Sequence, residues 1–131
     1  MNMLLQPEGW AKPRGYANGI AATGRHVFVA GQIGWNAQCE FEARDFLGQF
    51  RQALENVVAV LARAGARPEH VTTMTLFITD KAAYLRDAKL IGDAWREIMG
   101  RNYPAMAVVQ VVALMEDAAL IEIQAQAVIP E

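Results

Sequence analysis

The longest uninterrupted strand pattern lies near the end of the chain, where Leu120 to Ile129 alternates apolar and polar residues. Ile121, Ile123, Ala125, Ala127 and Ile129 share one face, while Glu122, Gln124 and Gln126 share the other. A period of two is that of a strand. Upstream, Ala105 to Leu114 is a second apolar run rich in β-branched residues, joined to the first by Met115-Glu116-Asp117-Ala118. The two runs predict an antiparallel hairpin with a tight connection. One face suits burial under helices. The other carries Glu122 among Gln110, Gln124 and Gln126, too polar for a dry core and too apolar for open water. Such a face is expected to meet another subunit, a ligand, or both.

From the N-terminus, Met1 to Arg14 holds two prolines, a glycine and little periodicity, and reads as an irregular lead-in anchored by Trp10. Tyr16 to Ala22 and His26 to Ile33, separated by Thr23-Gly24-Arg25, predict a first hairpin. Gly31 leaves a side-chain position empty within a strand, which marks a bulge or the close approach of another group. A polar loop, 34–42, contains Trp35, Asn36 and Cys39. A long helix follows, with Phe46 or Leu47, Phe50, Leu54, Val57, Val58 and Leu61 at three- and four-residue spacing, stopped by Gly65 and Pro68. Val71 to Thr79 reads as a strand, and Asp80 is placed to cap a second helix whose stripe is Tyr84, Ala88, Ile91, Trp95 and Ile98, ended by Gly100. Pro104 holds Tyr103 extended at the entry to the last two strands.

The predicted order is therefore β-β-α-β-α-β-β in one α+β domain spanning 1–131, a single mixed sheet with both helices on one face. The uncovered face would then be buried by self-association in a symmetric oligomer. Composition points the same way, since 53% of the 131 residues are apolar and only 20% charged. The net charge of −2 and the scattered basic residues provide no footprint for nucleic acid or an anionic membrane. No apolar run approaches the roughly 20 residues of a membrane span, and the first residues do not read as a secretion signal. With one cysteine, no intrachain disulfide can form, so a reducing, cytoplasmic setting is expected.

Gly15-Tyr16, Gly31-Gln32-Ile33, Gln52-Ala53-Leu54-Glu55-Asn56-Val57, Tyr103-Pro104-Ala105 and Ile121-Glu122-Ile123 with Ala125 and Ala127 occur in the order found in a known family. In these residues the chain resembles the RidA (YjgF/YER057c/UK114) family. The resemblance implies a chorismate mutase-like α+β fold, a homotrimer, and hydrolysis of reactive enamines and imines to ketones and ammonia without a cofactor. In deaminating members an arginine follows the Pro-Ala pair and holds the substrate carboxylate. Here Met106 stands at that position, a thioether with no charge and almost no acceptor strength. Ala30 likewise replaces a common serine, and Val108 a cysteine. Glu122 matches the family glutamate that positions or activates water, Tyr16 the tyrosine of the cleft, and Gly31 the ligand-facing strand edge.

Each of these residues also has a plainer role open to it. Glu122 is either a general base in an intersubunit cleft or a carboxylate bonded across a subunit seam. Tyr16 either bonds a ligand or serves as a wedge, and Met106 is either a pocket floor or a filler. Trp35 is either a pocket rim or a packing anchor. Arg14, beside Tyr16, is the better candidate to supply the missing guanidinium, ahead of Arg96 and Arg101. Cys39, His26 and His70 have no metal-ligand spacing, so no metal is expected. Three readings of function remain: an imine/enamine deaminase with altered substrate choice, a non-catalytic sensor or small-molecule-binding trimer, and, least favoured by the charge, a ribonuclease.

Overall fold

In a computed structural model of the chain, residues 2–131 are described, and Met1, part of the predicted lead-in, lies outside them. The strands are β1 (Met3–Leu5), β2 (Gly19–Ala21), β3 (Arg25–Ile33), β4 (Val71–Ile78), β5 (Ala105–Gln110) and β6 (Ile121–Ile129). The helices are α1 (Phe46–Arg63), α2 (Lys81–Arg86) and α3 (Ala88–Met99), and a 3₁₀ turn at Pro68–His70 leads into β4. The predicted α+β class is the observed one. A four-stranded sheet of order β3-β6-β4-β5 carries α1 and α3 on one face, and β1 and β2 form a separate two-stranded sheet.

The alternation of β6 decides what is buried. Ile121, Ile123, Ala125 and Ala127 enter the core with Met74 and Leu76 of β4, and meet the α1 stripe of Phe50, Leu54, Val57 and Leu61. Burying each such large side chain stabilises the fold by about 1.5–3 kcal/mol. The opposite sheet face has no helix on it. It presents Thr73, Thr75, Gln124 and Gln126 around Phe28, which is 69% exposed.

Strand pairing differs from the sequence-based expectation in three places. The lead-in contains a strand, because β1 pairs antiparallel with β2 through Leu4↔Ile20, so β2 does not form a hairpin with β3. The cause lies just upstream: the Ala17 amide donates to the Pro104 carbonyl at 2.9 Å, and Ala17 bridges Ala105, drawing this segment toward β5. Trp10 is exposed and does not act as an internal anchor. The last two strands are not a hairpin either, since β4 lies between them, parallel to β5 and antiparallel to β6. β5 stops at Gln110 instead of continuing to Leu114, which leaves 111–120 as a link long enough to pass over the end of β4. There the Val111 amide donates to the Ile78 carbonyl and the Thr79 amide to the Leu120 carbonyl.

The second predicted helix is two helices, divided at Asp87. Aspartate competes for backbone bonds in a helix interior, which favours a break at this point. The predicted caps are present: the Ala83 amide donates to the Asp80 carboxylate at 3.2 Å, and Gly65 and Gly100 adopt φ of 79° and 69° past the helix ends. No helix among the described residues is long and apolar enough to cross a membrane.

Candidate functional site

Two constructions on the sheet bear on chemistry, and they lie on opposite faces. The first begins at Pro104, which is fully buried and sets the start of the edge strand β5. Before it, Tyr103 stacks on Trp95 with ring centres 6.1 Å apart and planes 9° from parallel, and the Trp95 indole N–H donates to the Asn102 carbonyl at 3.1 Å. The Ala17–Pro104 bond then brings Arg14, Gly15 and Tyr16 to the same place, with Gly15 turning the chain at φ 77°. The result is a cleft of about 420 Å³. Phe50 and Leu76 lie in its apolar wall beside Met106; Tyr16, Tyr84, Trp95 and Tyr103 supply aromatic surface; Arg14 and Arg96 bring two guanidinium groups.

The two cations are not equivalent. Arg96 is held by Asp93 at 2.6 Å, whereas Arg14 takes part in no ion pair among the described residues. Tyr84 meets the edge of Phe46, and its burial raises the phenol above its ordinary range, so the hydroxyl stays protonated at any ordinary pH. A cleft with a cation that none of the described residues pairs, a neutral hydroxyl and aromatic walls can hold a small planar anion.

The second construction is the Gly31–Glu122 pair. β3 carries a bulge between Val29 and Gln32 where it pairs with β6, and the Gln32 side chain donates to the Ala30 carbonyl at 3.1 Å across it. Glu122 stands opposite Ile33 on one side and Phe77 on the other, on the sheet face away from the helices. Its carboxylate fills the space where a Cβ on Gly31 would be, so only glycine fits there without displacing the acid. Glu122 is half-buried between these neighbours and forms no ion pair with the described residues.

Amide side chains on α1 hold this second construction in place. Gln49 is completely buried: its NH₂ donates to the Ala43 and Ala118 carbonyls at 3.2 and 2.9 Å, and its oxygen accepts from the Leu120 amide at 2.8 Å. Asn56 donates to the carbonyls of Ile33 and Trp35 at 3.1 and 2.8 Å, and is itself oriented by Gln52. α1 thus fixes both the end of β3 and the entry to β6, the two segments that carry Gly31 and Glu122.

Of the sequence-predicted residues, Arg14, Tyr16 and Met106 come together in the cleft, and Gly31 and Glu122 come together on the bare face. Trp35 joins neither group and packs against Phe41 at 5.9 Å. Cys39, His26 and His70 do not gather: His26 stacks on Phe28 and His70 accepts from the Arg67 amide. Periodicity alone does not bring Tyr84 and Trp95 into the cleft, because cleft wall and core share one helical stripe. Gln49 carries a legible signal, a polar residue on the buried stripe of α1.

The sequence profile of the Endoribonuclease L-PSP family matches residues 11–129. A RutC family protein of Pyrococcus horikoshii is 34% identical over 127 residues, covering 95% of this chain and 96% of that protein. TdcF of Escherichia coli, to which a reactive-intermediate deaminase activity has been ascribed, is 35% identical over 116 residues, 86% of this chain and 85% of its own. The solved structure of TdcF with bound serine superposes with a TM-score of 0.68, covering 97% of this chain and 98% of that one. YyfB of Yersinia pestis, a Rid family protein of unknown function, superposes at 0.86 with 30% identity over 98% of both chains.

Proposed function

Because the chain belongs to the RidA (YjgF/YER057c/UK114) family, we propose that it is a homotrimeric small-molecule hydrolase of the enamine/imine deaminase type. Its substrate would be a planar imino acid whose carboxylate is held by Arg14 and not from position 106. The observation that carries this reading is that Arg14 lines the Met106 cleft. A guanidinium is thereby available where the thioether offers none, and guanidinium–carboxylate bonds are strong and geometrically specific.

The uncovered sheet face supports the trimer. In a closed ring, each copy's bare face meets the β5 edge of the next, which would carry Glu122 to the neighbour's Met106 cleft. Water held by Glu122 adds to the imine carbon, and the carboxylate takes its proton and returns it to nitrogen. Glu122 then relays the hydroxyl proton of the resulting carbinolamine to its nitrogen, so that the C=O bond forms as the C–N bond breaks and ammonia leaves. Met106, Tyr16 and the aromatic walls orient the substrate plane, and Gly31 leaves room for the acid.

A second reading, a trimer that binds such a ligand without turning it over, is favoured by the placement of Glu122 and Met106 on opposite faces of one chain. Ammonia release from 2-iminopropionate and from imines with bulkier or aromatic side chains separates the two. Turnover that disappears in Glu122→Gln supports the hydrolase. Saturable binding with no ammonia supports the binding protein, and inertness toward all substrates removes the first reading. Met106→Arg sharpens the result, since a gain of 2-iminopropionate hydrolysis would mean that only substrate choice had changed.

A further inference from the structure

A second cavity, of about 580 Å³, lies between the β1–β2 sheet and the end of the main sheet where β4 and β5 begin. Its size is within the range of small-molecule sites. Leu4 and Leu5 of β1, Ile20 of β2, and Val71 give it apolar sides, while Trp10 and Tyr103 give it flat ones. Leu4 and Trp10 are 67% and 62% exposed, and apolar groups so exposed around one concavity mark a binding surface.

Charge narrows the ligand. Lys12 and Arg101 both line this cavity, and neither forms an ion pair with the described residues. The carboxylate present, Glu69, is already taken by Arg67 at 3.1 Å. Two free cations beside an aromatic and aliphatic wall complement an anion with a flat apolar body. We infer that this cavity is a second ligand site, separate from the Met106 cleft, that binds small aromatic carboxylates. Tyr16 and Tyr103 line both cavities, so the two sites share an aromatic partition.

The test is calorimetric titration of the full chain with indole-3-acetate and 3-phenylpropionate, with neutral indole-3-acetamide as control. Both acids should bind saturably, and the amide about tenfold or more weakly. Trp10→Ala and Arg101→Gln, both at exposed positions and checked for folding by circular dichroism, should each weaken the acids by about tenfold or more. Met106→Trp, which fills the neighbouring cleft, should leave this binding intact whether or not the chain is a deaminase. The proposal is overturned by absence of saturable binding, by equal affinity for acid and amide, or by binding lost in Met106→Trp but kept in Trp10→Ala. A change in particle mass on Trp10→Ala without ligand binding would make the surface a contact between copies and would equally overturn it.

Discussion

The Met106 cleft is lined on the helix-covered side of the sheet by residues of one chain, whereas Glu122 stands on the sheet face that no helix covers. They are also built by different means. The cleft is assembled from segments far apart in sequence, 14–16, 84–96 and 103–108, joined by one backbone bond from Ala17 to Pro104 and by the Tyr103–Trp95 stack. The Glu122 face is assembled from neighbouring strands, held by a bulge and by the amides of Gln49 and Asn56. In the proposed trimer the binding cavity is finished within one protomer, and the acid that acts on its contents is supplied by the next. On this account, binding and proton transfer are separable functions, and mutations in the two regions should have different signatures.

The largest expected effect is at the acid. Glu122→Gln keeps the shape and removes the base, so ammonia release should fall by about 10²–10⁴-fold while ligand affinity in the cleft is unchanged. A parallel loss of affinity would mean that Glu122 binds instead of activating water. Next is the cation: Arg14→Gln removes a charge-assisted bond to the carboxylate and should lower kcat/KM by about tenfold to a hundredfold, mostly through KM. Arg96→Gln should do less, because Asp93 already holds that guanidinium. Equal effects from the two would break the distinction between them.

Gln49→Leu tests how the Glu122 face is held. It strands the part-buried Leu120 amide and two carbonyls, so stability should drop by about 1–3 kcal/mol in urea unfolding, and turnover should fall more than cleft affinity. The smallest effect is on the cleft side and concerns pH. The folded-state pKa of Tyr84 is raised by burial, so its contribution to stability is complete below the unfolded value near 10 and is lost as pH rises through the folded one. Tyr84→Phe should flatten that alkaline loss, seen in urea midpoints measured between about pH 9 and 11. An unchanged slope would place the phenol in solvent.

Much of this division was readable in the residues. Alternation along β6 puts Glu122 on the face away from the helices, the empty side-chain position at Gly31 marks a bulge or a close approach, and adjacency to Tyr16 makes Arg14 the candidate cation beside it. Strand partners were not readable. A period of two states which residues share a face but not which strand lies alongside, so the apolar run after Pro104 reads as the partner of β6, whose neighbours in the sheet are β3 and β4. The same limit hid Tyr84 and Trp95, since a helical stripe is identical whether it meets a core or a cleft. Gln49 interrupted such a stripe, and its three bonds give the reason.

The most direct measurement is complementation between two disabled chains. Glu122→Gln and Arg14→Glu, each inactive alone, are unfolded together, refolded as a mixture and assayed for ammonia release. If each site takes its acid from one copy and its cation from the next, random mixing in a closed ring should restore about a quarter of the wild-type activity. No recovery, with mixed assemblies demonstrated by mass, would contradict a site shared between copies.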